Sequence, residues 1–78
     1  MKKLNNIDLL TVGSNIRKQR LKLGMTQENL SFETGLDRSY IGGVERGERN
    51  LSLLTLTKIA KCLNCNVPKL TKGIPNSG

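Results

Sequence analysis

The sequence predicts an all-α fold, a compact bundle of five helices that forms a single domain over residues 1–78. Apolar side chains recur three and four residues apart, as on one face of a helix, and glycines or short polar turns separate these periodic segments. No segment alternates apolar and polar residues as a half-buried strand does. A chain of 78 residues supplies one small core, which we expect to be ordered over about residues 8–72.

The first predicted helix covers residues 8–23. Gly24 follows it as a C-terminal stop, because glycine readily adopts the left-handed conformation in which many helices end. Basic side chains between Arg17 and Lys22 occupy one face of this helix, and the opposite face is predicted to pack in the core. The apolar residues of that face are Leu9, Val12, Ile16 and Leu23.

The next two predicted helices are short and close together. Thr26 precedes the helix Gln27–Thr34 as its cap. Asp37 caps the helix Arg38–Arg46, since such side chains accept hydrogen bonds from the free N–H groups of a first turn. Gly35 between the helices can adopt the positive φ that a sharp turn requires. This pattern predicts a helix-turn-helix, in which the second helix lies in the major groove of DNA.

Two further helices are predicted in the C-terminal half. Ser52 caps the helix Leu53–Leu63, and Val67–Lys72 forms a short last helix. Pro68 suits the first turn of that last helix, where the missing N–H is not needed. The core face of the longer helix is predicted to contain Leu53, Leu56, Ile59, Ala60 and Leu63.

The charge of the chain favours a polyanionic partner. Thirteen Lys and Arg residues outnumber six Asp and Glu residues, which gives a net charge of +7, and every acidic residue precedes residue 49. Nucleic acid is the partner that this surplus favours, and the helix-turn-helix pattern makes it double-stranded DNA, although a solubility role alone is the alternative for the charge. No apolar run approaches the ~20 residues of a membrane span, and the N-terminus lacks a signal-peptide core. We therefore expect a cytoplasmic protein without a membrane partner.

Cys62 and Cys65 form a C-x-x-C pair. Structural zinc takes four Cys or His ligands, and this chain has no His and no third Cys. A redox motif of this form normally follows a strand of a βαβ unit, which the pattern lacks. Two unrelated thiols are the better interpretation. Without His, a nucleophile–base pair or a phosphate-binding glycine loop, we expect no enzyme, cofactor, metal or small-molecule ligand.

The run MTQENLSFETGLDRSYIGGVERGERNLSLLTLTKIAKCLN resembles the Xre/Cro-type helix-turn-helix of phage repressors and their bacterial relatives. With NIRKQRLKLG before it, the resemblance covers about residues 12–72 and places the helix-turn-helix at 27–46. The segment LDRSYIGGVERGERNLSLLTL is more similar still to the controller proteins of restriction–modification systems. Those proteins are small homodimers that bind operators upstream of their own gene. The resemblance thus implies a phage-repressor-like DNA-binding domain.

The resemblance also implies roles for individual residues. Gln27 is expected to hold a phosphate, and Arg38 and Ser39 are expected to reach base edges, since arginine can pair bidentately with guanine. Alternatively, Gln27 and Ser39 are merely solvated, Arg38 is a surface charge and Tyr40 packs in the core. The complete set of expected DNA-contacting residues is Arg17, Gln27, Arg38, Ser39, Tyr40, Gly43, Arg46 and Arg49.

Two internal features accompany these contacts. Arg20 and Glu45 match a structural ion pair of the family, which links the first helix to the recognition helix. Gly42 and Gly43 lie inside the recognition helix, where each costs roughly 1 kcal/mol relative to alanine. Either the missing side chains let DNA approach the backbone closely, or helices two and four hold the segment tightly enough to tolerate the cost.

The sequence thus predicts a transcriptional regulator that binds a two-part operator as a homodimer and regulates a promoter. Whether RNA polymerase is a further partner is left open by the sequence. The alternative function is an antitoxin, whose main task is to bind a toxin protein; the short segments before Asp8 and after Lys72 disfavour it. The dimer contact is expected at Val67, Leu70 and Ile74, because little chain remains to cover them. Alternatively, Leu70 packs on the first helix within its own chain.

Overall fold

The computed structural model describes residues 6–76, which contain five helices and no strand. The helices are α1 (Ile7–Lys22), α2 (Gln27–Thr34), α3 (Arg38–Glu45), α4 (Leu53–Cys62) and α5 (Val67–Leu70). The predicted all-α architecture is confirmed, and each helix begins and ends within two residues of its predicted bounds. The described chain continues past the predicted ordered core, and the backbone N–H of Asn76 donates to Asp8 Oδ1 at 2.7 Å.

A polar side chain fixes the start of every helix. Thr26, Asp37 and Ser52 cap α2, α3 and α4 as predicted, and each accepts a hydrogen bond from a backbone N–H of the first turn. Asn6 and Asn66 cap α1 and α5 in the same way. These bonds satisfy donors that have no partner within the helix, so the helix starts are set by local sequence.

The core is aliphatic and draws on all five helices. Its buried apolar residues are Val12, Ile16, Leu30, Ile41, Val44, Leu56, Ile59, Ala60, Leu63 and Leu70. Two predicted core positions are wrong: Leu23 is 41% exposed and Leu53 is 69% exposed. Leu23 is the C-cap residue at which the chain leaves α1. Leu53 lies in the first turn of α4, which the rest of the described chain leaves uncovered.

Helix α3 rests directly on the backbone of α1 at Gly13. A Cβ atom at Gly13 would lie 2.3 Å from the carbonyl oxygen of Val44 and 2.7 Å from that of Glu45. Backbone oxygens cannot move away as a flexible side chain can, so the close approach of the two helices requires glycine. Gly13 therefore fixes where α3 lies relative to the rest of the domain.

The short helix α5 packs inward against α1 and α4. Leu70 is 0% exposed, so the expectation that Leu70 is available for a dimer contact is wrong, and its packing within its own chain is confirmed. The Asn15 amide explains this placement, because its Nδ2 donates to the carbonyls of Leu70 at 2.9 Å and Lys72 at 3.0 Å. Val67 and Ile74 are partly buried against the core, and their place in a dimer contact stays a prediction.

Candidate nucleic-acid interface

The first turn of α3 presents Arg38 and Ser39 to solvent. Asp37 shapes this turn, since its carboxylate accepts hydrogen bonds from both the hydroxyl and the backbone N–H of Ser39. Both bonds lower the pKa of Asp37, and the bond from the hydroxyl is the larger cause. Because the Ser39 hydroxyl proton is engaged, its oxygen is left to act as an acceptor. Ser39 is therefore suited to an amino group on a base edge, and Arg38 to guanine acceptors.

Tyr40 and Arg49 form a second pair on the surface of α3. The guanidinium carbon of Arg49 lies 5.2 Å from the centre of the Tyr40 ring, within the range of a cation–π contact. Tyr40 is half-buried and packs against the core, as the alternative interpretation predicted, and its DNA contact stays a prediction. The loop after α3 thus returns Arg49 to the recognition helix.

The two glycines of α3 are covered by side chains of the chain itself. A Cβ at Gly43 would lie 3.1 Å from Arg49 Cγ, and a Cβ at Gly42 would lie 3.1 Å from Arg46 Nη1 and 3.6 Å from Gln27 Oε1. Of the two helices in the predicted clamp, α2 supplies one of these nearest atoms and α4 supplies none. The bare backbone accommodates two arginines to which the resemblance assigns DNA contacts.

The predicted ion pair between Arg20 and Glu45 is confirmed and buried. Arg20 Nε lies 2.6 Å from Glu45 Oε2, and Arg20 Nη2 donates to Oε1 at 2.9 Å, with 7% and 3% of the two side chains exposed. The hydrogen bond with Glu45 is the main cause that raises the pKa of Arg20, while burial opposes it. Arg20 Nη1 also donates to the carbonyl of Met25 at 2.8 Å.

Gln27 joins this ion pair to α2. Its Nε2 donates to Glu45 Oε1 at 3.1 Å, so Glu45 connects α1, α2 and α3 through one carboxylate. The amide nitrogen of Gln27 therefore has a partner within the chain, and its predicted phosphate contact stays a prediction. Every buried polar side-chain atom of the described residues has a hydrogen-bond partner. The two helices of the motif are consequently held in one fixed relation.

The remaining predicted contacts surround α3 without entering this buried network. Arg46 is the C-cap residue of α3, and its Nε lies 3.2 Å from Glu48 Oε1 in an exposed ion pair. Arg17 lies exposed on α1, three residues before Arg20. Prediction from sequence missed Gly13, although a glycine inside a strongly periodic helix was a signal of close packing.

No group of three or more His, Cys, Asp or Glu in residues 6–76 is placed to hold a metal ion, and no helix there is long and apolar enough to cross a membrane. Cys62 and Cys65 are free thiols. The Cys62 thiol donates to the carbonyl of Glu33 at 3.4 Å, and burial raises the pKa of Cys65.

Comparison with known proteins places the chain among DNA-binding regulators. Residues 16–70 match the family described as helix-turn-helix. Control protein C.SmaI of Serratia marcescens is 49% identical over 59 residues, which cover 76% of this chain and 70% of that protein. Control protein C.BamHI of Bacillus amyloliquefaciens is 52% identical over 60 residues, which cover 76% of this chain and 73% of that protein.

Solved structures give the same relationship. The restriction–modification controller protein C.AhdI of Aeromonas hydrophila has a TM-score of 0.79 and 47% identity, over 82% of this chain and 97% of its own. The controller protein C.Esp1396I, crystallised as a tetramer with its natural 35 base-pair operator, has a TM-score of 0.71 and 46% identity. That match covers 74% of this chain and 76% of the C.Esp1396I chain.

Proposed function

We propose that this chain, which belongs to the helix-turn-helix family and within it to the controller proteins of restriction–modification systems, is a sequence-specific DNA-binding regulator of transcription. The proposal rests on the difference between the two ends of α3. Its C-terminal Glu45 is buried in a network with α1 and α2, whereas Arg38 and Ser39 at its start are exposed. A rigidly held helix with a free polar first turn is the arrangement by which such motifs read the major groove.

Each residue of the interface has a distinct role in this proposal. Arg38 pairs with guanine, and the Ser39 oxygen accepts a hydrogen bond from a base amino group. Arg49 is carried on the Tyr40 ring beside them. Further contacts to phosphates, from Gln27, Arg46 and Arg17, fix the register on the duplex without reading sequence. The protein acts by occupying or exposing a promoter in the cytoplasm, and binding requires no catalytic step or cofactor.

A homodimer places two recognition helices on one operator with paired half-sites, about 34 Å or one helical turn apart. Because Leu70 is buried, we propose that Leu53 and Leu54 form the dimer contact instead. They are adjacent at the start of α4 and are 69% and 82% exposed. They directly follow the loop that carries Arg49. Val67 and Ile74 stay predicted dimer-contact residues.

The dimer contact is tested with charge introduced at these leucines. Leu53→Glu with Leu54→Glu should give a folded monomer in analytical ultracentrifugation and weaker operator binding, although the DNA-contacting residues are retained. Phe32→Glu is the matched control, because Phe32 is 86% exposed on α2 and should leave the dimer intact. A leucine variant that stays dimeric, or a control that becomes monomeric, would place the contact elsewhere.

The function itself is tested by selecting duplexes from a random pool and from the DNA upstream of the gene. We expect enriched sequences to contain two related half-sites one turn apart, with one copy located near the promoter. Transcription with purified RNA polymerase then shows whether occupancy activates or represses, and whether polymerase contacts the protein. A pool that shows no sequence enrichment would contradict the proposal.

An antitoxin with the same fold is the alternative function. The similarity to control proteins favours the regulator. The neighbouring gene separates the two functions, because a methyltransferase or endonuclease gene accompanies a controller and a small toxin gene accompanies an antitoxin. Copurification of the chain with a toxin that blocks its binding to DNA would favour the alternative.

A further inference from the structure

A basic cleft lies between α1 and the C-terminal segment that contains α5. Its volume is about 220 Å³, and it is lined by Asn15, Lys18, Gln19, Lys22, Lys69 and Lys72. Four of these six residues are lysines, all four are exposed, and no acidic residue lines the cleft. The lysines come from opposite walls of the cleft, with Lys18 and Lys22 on α1 and the other two on and after α5.

Two amide side chains of α1 tie the cleft to its surroundings, Asn15 to its C-terminal wall and Gln19 to the end of α4. Asn15 Nδ2 donates to the carbonyls of Leu70 and Lys72, at 2.9 and 3.0 Å. Gln19 Nε2 donates to the carbonyl of Leu63 at 3.0 Å, and Gln19 is only 9% exposed. The backbone positions from which the four lysines extend are therefore fixed. The concentration of positive charge is a property of the packed domain and not of one flexible segment.

The cleft faces away from the recognition helix. Successive residues of an α-helix are about 100° apart around its axis, so Lys18 and Lys22 each lie about 160° from Arg20. Arg20 points to α3, where it pairs with Glu45. The two α1 lysines therefore lie on the face of α1 opposite the one that packs on α3. The cleft is thus available to a ligand other than the DNA that α3 is proposed to hold.

The chemistry of the cleft is that of a phosphate site. A lysine ammonium is a compact charge with three donors, and it binds phosphate oxygens without the planar geometry that arginine requires. The volume equals that of about seven water molecules, which is enough for linked phosphate groups. We propose that this cleft binds phosphate groups of a second polyanion, from either a free oligophosphate or nucleotide or the backbone of another nucleic-acid segment.

The first experiment uses tripolyphosphate as the probe and the full chain as the protein. Lys18→Gln with Lys69→Gln removes one lysine from each wall. Lys58→Gln with Lys61→Gln is the matched control, because both residues are exposed on α4, outside the cleft, and the net charge changes equally. In calorimetric titrations the cleft variant should bind about tenfold more weakly than wild type, and the control within about twofold.

The second experiment identifies the source of the phosphate. The protein is saturated with unlabelled operator, and a fluorescent duplex of about one helical turn without operator sequence is added. If the ligand is nucleic acid, the labelled duplex binds, tripolyphosphate displaces it, and the salt slope falls by about two in the cleft variant. If the ligand is a free phosphate compound, tripolyphosphate binds and the duplex does not. Either result supports the cleft.

Three results would overturn the proposal. They are absence of saturable tripolyphosphate binding to wild type, an equal loss in cleft and control variants, and binding of a glutamate-rich peptide as tight as that of tripolyphosphate. Operator affinity must also be no weaker in the cleft variant than in the control, since a selective loss would make the lysines part of the operator site. Lys22→Glu with Lys72→Glu should reproduce the loss at an unchanged melting temperature. If the selection from random duplexes finds no operator, the proposed function fails, but the tripolyphosphate measurements still test the cleft.

Discussion

The two ends of α3 differ in almost every physical property. At its C-terminal end, Glu45 is buried and accepts hydrogen bonds from Arg20 and Gln27, and the backbone touches Gly13 of α1. At its N-terminal end, Arg38 is exposed and has a solvated surface around it. The buried end sets the position of the helix, and the exposed end carries the side chains that we propose to read DNA. Changes at the first should alter folding, and changes at the second should alter only binding.

The same contrast separates the two ion pairs near α3. Arg20 and Glu45 are nearly inaccessible to water, so removal of one partner leaves a charge that has lost both its solvent and its counterion. Arg46 and Glu48 are exposed, with 62% and 37% of their side chains accessible. Water and salt screen such a pair, so it typically contributes about 0–1 kcal/mol to the free energy of unfolding.

The largest expected effect is at the buried pair. Glu45→Ala should lower the free energy of unfolding by about 3–5 kcal/mol, because the Arg20 charge stays buried and Gln27 loses its acceptor. Thermal and urea unfolding without DNA measure this loss. Glu48→Ala is the control, with an expected loss of at most about 1 kcal/mol. Equal stabilities of the two variants would mean that the buried network does not hold α3 in place.

Gly13 tests the contact between the backbones of α1 and α3. Gly13→Ala should destabilise the domain by about 1–3 kcal/mol, because its Cβ would lie 2.3 Å from a carbonyl oxygen. This loss is expected although alanine is intrinsically the better helix former. Ser14→Ala, at the neighbouring exposed position, should preserve or slightly raise stability. Unfolding curves in urea would refute the close approach if Gly13→Ala proved as stable as wild type.

Arg38 tests the opposite end of the helix. Arg38→Ala should weaken binding to the specific operator by about 1–3 kcal/mol and reduce discrimination at one base pair of each half-site. Its melting temperature should be unchanged, because the side chain is exposed. Arg17→Ala should instead weaken operator and random DNA alike. Equal losses on both kinds of DNA for Arg38→Ala would remove its base-reading role.

Replacement of Gly43 should combine both kinds of effect, because it should raise the stability of the domain and lower its affinity for the operator. Gly43→Ala should stabilise α3 by up to about 1 kcal/mol through helix propensity. It should also weaken operator binding by about 1 kcal/mol, or roughly fivefold, because the new Cβ meets Arg49 Cγ at 3.1 Å and displaces it from Tyr40.

A double-mutant cycle checks this mechanism. In an Arg49→Ala background, Gly43→Ala should cause no further loss of affinity, whereas additive losses would show that Gly43 acts independently of Arg49. The matched position is Gly42, whose Cβ would meet Arg46 and Gln27 instead. The affinity change of Gly42→Ala should therefore be independent of Arg49.

The smallest effect is expected at the thiols, which belong to neither end of α3. Cys62→Ser with Cys65→Ser should leave operator affinity within about twofold of wild type, with a modest loss of stability from their partial burial. Electrophoretic mobility shifts under reducing and oxidising conditions provide the measurement. Binding that follows the redox state of the wild-type chain would revive a function for the C-x-x-C pair.

Local signals made most of the fold predictable from sequence. The caps at Thr26, Asp37 and Ser52 act within three residues, so their helix starts needed no knowledge of the tertiary structure. The ion pair between Arg20 and Glu45 was predictable only through resemblance to a family. Its partners are 25 residues apart in sequence, and no local pattern connects them.

The failed predictions concern apolar residues at the ends of elements. Leu53 fits the periodic face of α4 and is exposed, whereas Leu70 belongs to a four-residue helix and is fully buried. Periodicity gives the face of a helix but not how far a neighbouring element extends along it. A contact such as that between Asn15 and Leu70, 55 residues apart, decides which end is covered.

By itself, the sequence determined the helices, their caps, the turn at Gly35 and the positive charge, because each depends on neighbouring residues or on composition. Only the tertiary structure decided that Gly13 receives the backbone of α3, that Arg46 and Arg49 cover the paired glycines, and that four lysines from distant segments line one cleft. These features arise where separate helices pack together. Their geometry depends on distances between backbones that no local stretch of sequence specifies.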